Sequence, residues 1–136
     1  MTSVIDTNII SALMHLEDGI VDRVSTMDPS SLVLCAPVAA EIHFGLGKLV
    51  QGSKRYRFLE RQFRMLRSAM RWADWGERAA QTFGSIKVDL RRKGLPIEDF
   101  DIAIGAIALE LDASVVTRNV EHFERIDGLS VDNWST

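Results

Sequence analysis

At 136 residues, 46% of them hydrophobic and 26% charged, the chain is long enough to bury roughly two-thirds of its unfolded surface around one core, and its composition excludes a disordered polyelectrolyte. A single cysteine, Cys35, excludes an intramolecular disulfide, and a net charge of −3 gives no overall attraction for a polyanion. The opening MTSVIDTN has no basic segment and meets a charge at Asp6, so it reads as no signal peptide; no apolar run approaches a membrane span.

Val4-Ile5 is a short apolar run that reads as a buried strand ending at Asp6. Thr7 or Asn8 can then cap a helix that places Ile9, Ile10, Leu13 and Leu16 on one face. Asp18-Gly19 interrupts it, and Ile20, Val21 and Val24 predict another short helical stretch before the loop 27–31. Residues 32–36 read as a second buried strand that takes Cys35 inside as a structural thiol. Pro37 ends the strand, and a helix from Val38 carries Glu41, Leu46 and Leu49.

Residues 53–72 hold seven basic residues, Lys54, Arg55, Arg57, Arg61, Arg64, Arg67 and Arg71, against Glu60 alone, a net of +6 that leaves −9 on the remainder. Phe58, Leu59, Phe63, Leu66 and Met70 recur there at three-to-four spacing, so the segment is an amphipathic helix. Its basic face is either simply solvated or a local docking site for a polyanion. Trp72 and Trp75 flank Asp74 and are expected to end this helix against the next, 77–93, whose apolar face is Ala80, Phe83, Ile86, Val88 and Leu90. Gly94-Leu95-Pro96 breaks the chain again.

The stretch PIEDFDIAIGAIALELDASVVTRN, 96–119, organises the rest. Between Ile102 and Leu111 its only charge is Glu110, so it predicts a helix apolar nearly all round and buried among other elements. A turn at Asp112-Ala113 leads to a strand, 114–117. Asn119 begins a loop or short turn anchored by Phe123 and Ile126, Asp127-Gly128 is a turn, and Leu129, Val131 and Trp134 alternate as an edge strand. The element order β-α-α-β-α-α-α-α-β-β favours a single α/β layer fold over 1–136 with a small, mostly parallel sheet.

Glu98, Asp99 and Asp101 crowd the first turn of the buried helix, where ionised acids need compensation by a cation or a helix N-terminus. Asp6 and Glu41 also fall at a strand end or early in a helix, and parallel strands would bring Asp6, Glu41 and Asp101 to one rim. Carboxylates gathered there repel one another and invite a divalent cation. Oxygen ligands with no histidine or cysteine at ligand spacing suit Mg²⁺ or Mn²⁺ rather than Zn²⁺. His15, His43 and His122 stand in unrelated segments and read as ordinary surface or core residues. A metal held by few carboxylates and several waters is equipped for phosphodiester hydrolysis, with the basic helix drawing in a nucleic-acid strand. An aspartate-nucleophile phosphohydrolase would want a second aspartate two residues after Asp6, where Asn8 stands. A receiver-like module would want a lysine where Arg118 stands.

Four segments, VIDTNIISAL, VAAEIHFGL, KGLPIEDFDIAIGAIAL and VVTRNVEHFERIDGLSVDNW, together resemble the PIN-domain ribonucleases of the VapC toxin type, in order and over nearly the whole chain. The resemblance implies an α/β/α sandwich whose acidic pocket binds Mg²⁺ or Mn²⁺ and cleaves RNA in the bacterial cytoplasm. The family's first aspartate corresponds to Asp6, its glutamate to Glu41 and its next aspartate to Asp101 rather than Asp99. Many members carry a fourth acid where this chain has Asn119, which can orient a water but brings no charge; Glu121 lies two residues on. Thr7, Asn8 and Thr117 would steady the carboxylates or the backbone beside them. The resemblance further implies a small antitoxin whose C-terminal segment crosses the groove, and a homodimer. A degenerate, non-catalytic PIN module binding RNA or a partner is the alternative that Asn119 raises.

Overall fold

A computed structural model describes residues 1–134 of the chain. In order, the elements are β1 (Ser3–Ile5), α1 (Thr7–Met14), α2 (Asp18–Ser25), a 3₁₀ turn (Pro29–Ser31), β2 (Leu32–Cys35), α3 (Ala36–Gly47), α4 (Lys54–Ala69), β3 (Arg71–Ala73), α5 (Glu77–Arg92), α6 (Asp99–Glu110), β4 (Ser114–Val116), α7 (Val120–Glu124) and β5 (Val131–Asp132). The strands form one sheet in the order β3-β2-β1-β4-β5, and every neighbouring pair is parallel. The expected mostly parallel sheet is therefore wholly parallel among the described residues.

β1 lies in the middle, with Val4 opposite Val33 of β2 on one side and Val115 of β4 on the other. Val4, Val33 and Val115 are fully buried, as near-continuous apolar strands of a covered parallel sheet require. Each crossover returns through helices, so the strands all end on the same edge, and Asp6 follows β1 directly at that edge.

α6 is buried from Ile102 through Ala108, the all-round apolar helix its sequence predicts. Its small residues set how closely it packs. A Cβ at Gly105 would stand 2.6 Å from Cδ1 of Ile126, so glycine is what lets the turn after α7 close onto the helix. Asp112 then reverses the chain with φ of 52°, a left-handed conformation that aspartate tolerates better than most residues. Cys35 is fully buried, and its thiol is pushed up to about 12 by that burial, as a structural cysteine should be.

Three local expectations need correction. Residues 71–73 do not simply close the basic helix: they form β3, paired with β2 through Val33↔Arg71, Leu34↔Trp72 and Cys35↔Ala73. A three-residue strand whose partner lies far back in sequence leaves no periodic signal, and ladder formation overrides local propensity. In α5 the buried residues are Ala79, Ile86 and Leu90, while Ala80 and Val88 are exposed. The loop after Asn119 contains a short helix, α7, and the last strand is confined to Val131–Asp132, with Trp134 buried just beyond it.

Candidate active site

Asp6 reaches the rim because β1 ends there and α1 begins. Its carboxylate is 3% exposed, and both oxygens are held: Oδ1 accepts the backbone N–H of Thr7 at 2.7 Å, and Oδ2 accepts the Thr117 hydroxyl at 2.7 Å. Thr117 follows β4, the other neighbour of β1, so the sheet register itself brings this hydroxyl to Asp6. Burial still outweighs the two bonds, and the Asp6 carboxyl sits above the usual carboxylate range.

Glu41 projects from α3, and its Oε1 accepts the Thr7 hydroxyl at 2.6 Å. Thr7 thus touches two of the acids, one through its backbone and one through its side chain. Asn8 serves the neighbouring backbone instead, its Oδ1 accepting the N–H of Arg118 at 3.2 Å. Glu41 also forms part of the wall of a cleft of ≈ 230 Å³ between α1, α3 and the start of α4, with Arg55 at its other side and Ile42, Leu46 and Leu59 beneath.

Asp101 sits in the first turn of α6 with its side chain 16% exposed. Its carboxyl is raised to about 6, first by burial and then by the negative charges of Asp6 and Glu41. The third acid therefore feels the other two, which the sequence could only anticipate. Asp99 pairs with Lys87 at 2.9 Å and, with Glu98 and Phe100, lines a separate shallow cleft that Glu41 also borders.

At the fourth position Asn119 is exposed; its backbone N–H bonds the Thr117 hydroxyl oxygen at 2.9 Å, and its side chain makes no capping bond to α7. Glu121 is 89% exposed and lies 3.8 Å from Arg125. The structure adds one residue that the sequence reading left aside. Nδ1 of His122 is buried without a hydrogen-bond partner and stands 3.6 Å from Oδ2 of Asp101. Its signal in the sequence is only that it lies three residues past Asn119, one turn along a helix too short to show periodicity.

The donors are hard oxygens on three elements. Among the described residues no group of three or more Asp, Glu, His or Cys side chains is placed to hold a metal ion as it stands. Such a set suits a cation that keeps several waters and takes one or two carboxylates, as Mg²⁺ does, and it lacks the closed tetrahedral N and S ligation of a structural zinc. No helix among the described residues is long and apolar enough to cross a membrane.

Residues 3–129 match the PIN domain family. The chain is 31% identical to Ribonuclease VapC1 of Haemophilus influenzae (strain R2866), covering 99% of each chain. It superposes on the structure of VapBC-1 from nontypeable Haemophilus influenzae with a TM-score of 0.82 and 31% identity, covering 100% of both chains. It matches VapBC2 from Rickettsia felis, bound to a DNA fragment from their promoter, with a TM-score of 0.87 over 98% of this chain and 99% of that one; at 24% identity this likeness speaks for the fold alone. With the acids and the sheet arranged as described, the chain belongs to the PIN-domain family, in its VapC branch.

Proposed function

We propose that this protein is an endoribonuclease that hydrolyses RNA phosphodiester bonds with Mg²⁺ or Mn²⁺, and that it is the toxin of a toxin–antitoxin pair in the bacterial cytoplasm. What supports the reading is that Asp101, raised first by burial, also feels the negative charges of Asp6 and Glu41, which come from the end of β1 and from α3. Asp6, Glu41 and Asp101 would hold the cation. When bound, the metal supplies Lewis-acid polarisation of a phosphate oxygen and a water of lowered pKa. Thr7 and Thr117 fix the direction of the Asp6 and Glu41 oxygens, so neither of these two carboxylates must reorganise as charge develops. Asn119, at the edge of the rim, would orient the attacking water through its amide.

The exposed face of α4 supports an RNA substrate, since Lys54, Arg57, Arg61, Arg64 and Arg67 all point to solvent and Arg55 lines the cleft beside Glu41. An acidic protein with this one basic surface would draw a strand to the side of the molecule where the acids lie. The partner is a small antitoxin, and the toxin itself is a homodimer; both readings rest on the resemblance and on kinship with VapC1 and VapBC-1.

Induced expression of wild type and Asp101→Asn in a bacterial host, with total RNA sequenced for new 5′ ends within minutes, tests the function. Growth arrest with a few discrete cleavage sites in wild type alone is the expected result. Normal growth and intact RNA with soluble wild-type protein would leave a non-catalytic PIN module, with Asn119 the residue to examine.

A further inference from the structure

His122 stands apart from the other two histidines. His15 Nδ1 meets the carbonyl of Ser11 at 2.8 Å, and His43 packs its ring edge-on against Phe63 at 5.3 Å; both residues are exposed. His122 instead buries one ring nitrogen without a hydrogen-bond partner at bonding distance, although its side chain as a whole is 44% exposed. The group nearest in charge is Oδ2 of Asp101, and 3.6 Å is too long for a hydrogen bond yet too short to admit a water between them. The buried anchor of α7 is Phe123, the next residue, which is fully buried.

We propose that His122 is a positioning residue for Asp101: its Nδ1–H closes onto Oδ2 when a divalent cation occupies the site, fixing that carboxylate so that Oδ1 faces the ion. This rests on the metal-dependent reading above. Two features of the site favour it. Asp6 has donors on both of its oxygens and Glu41 has one from Thr7, whereas the donor facing Asp101 is His122 itself, at 3.6 Å, and it already opposes the rise of that carboxyl. Asn119, at the edge of the same rim, is exposed and brings no charge, so the orientation of the carboxylates carries more of the binding. Partners of ligating carboxylates typically change metal affinity by about 10–100-fold when removed.

The test compares His122→Leu, which fills the space without a donor, with His122→Asn, whose amide N–H occupies the place of Nδ1–H. Mn²⁺ affinity of the isolated protein is measured by electron paramagnetic resonance of the free ion, and thermal unfolding in EDTA checks that each variant folds. The expected result is Mn²⁺ affinity about 10-fold weaker in His122→Leu and within about 3-fold of wild type in His122→Asn, with cleavage following affinity as a rise in the Mn²⁺ concentration for half-maximal rate. Equal affinity in His122→Leu and wild type, or equal loss in both variants, would overturn the assignment. Wild type that binds Mn²⁺ but cleaves no RNA would instead remove the ribonuclease reading and leave the positioning role standing. If one variant is unfolded, the other decides: loss in a folded His122→Leu supports the role, and loss in a folded His122→Asn overturns it.

Discussion

Thr117 and Asp6 are separated by 111 residues in sequence and by 2.7 Å in space, hydroxyl to buried carboxylate. The bond ties two adjacent strands at the point where both give way to the site, so it is at once a fold contact and a site contact. Thr117→Val keeps the shape and removes the donor. The carboxylate of Asp6 then loses one of the two bonds that oppose its desolvation. We expect unfolding free energy to fall by about 1–3 kcal/mol, the range for a buried bond to a charged group, and Mn²⁺ affinity to drop by about 10-fold. Thr117→Ser should restore most of both. Urea unfolding and metal titration of the pair check this, and a silent Thr117→Val would mean that Asp6 is protonated and indifferent to the donor.

Asp101 sets a pH dependence with a definite sign. Its folded carboxyl is raised to about 6 from an ordinary value of 3.8, so the folded state holds the proton more tightly than the unfolded chain. The stability this confers is fully present below pH 3.8 and is lost as pH rises through about 6. Metal-free wild type should therefore lose ground to Asp101→Asn across that window, by on the order of 1–3 kcal/mol at neutral pH. Mg²⁺ should reverse the order by stabilising wild type alone, increasingly with concentration. Chemical unfolding in EDTA from pH 4 to pH 8 would refute this if the two curves ran parallel.

The basic face of α4 should act on substrate capture rather than on the chemical step. Arg57 and Arg61 are exposed. Reversing both, as Arg57→Glu with Arg61→Glu, should raise KM for RNA by about 10-fold at low salt and flatten the salt dependence, because fewer counterions are then released. Turnover at saturation and Mn²⁺ affinity should stay within about 2-fold of wild type, since these arginines take no part in holding the ion. If KM were unchanged and the oligomeric state altered, α4 would be an assembly face instead.

Gly105 is the glycine at which an added Cβ would meet a neighbour. Valine there would drive carbon into Ile126, where even a Cβ would come to 2.6 Å, and should cost about 1–3 kcal/mol. Alanine should cost less, because the gain in helix propensity of about 1 kcal/mol offsets part of the clash. Ile126→Val removes the offending Cδ1 and should recover stability in the Gly105→Ala background beyond its effect alone. Additive effects in this double-mutant cycle would show that the helix shifts rather than the isoleucine.

The parts of the site most legible in the sequence were those whose chemistry conflicts with their surroundings. Asp6 after a two-residue apolar strand and Asp101 in the first turn of an apolar helix each announce a carboxylate that must be compensated. The family motifs then pointed to Asp101 rather than Asp99, a choice that the spacing of the two within one helical turn does not make. What stayed hidden depends on contacts between distant segments. β3 exists only because β2 is there to pair with it. His122 gains its meaning only when α7 folds back beside α6, and no spacing within its own segment points to Asp101.

The central position of β1 bears on synthesis as well as on catalysis. The first strand made is the one that must wait longest, because β4, its second neighbour, begins at Ser114. An emerging chain has Asp6 well before it has Asp101 to face it or Thr117 to hold it. Long-range pairing of this kind is slow and is not rewarded until the loop closes. On the proposed function, the order of the strands acts as a built-in delay: a growing toxin has no complete active rim until α6 and β4 have been made and have joined β1.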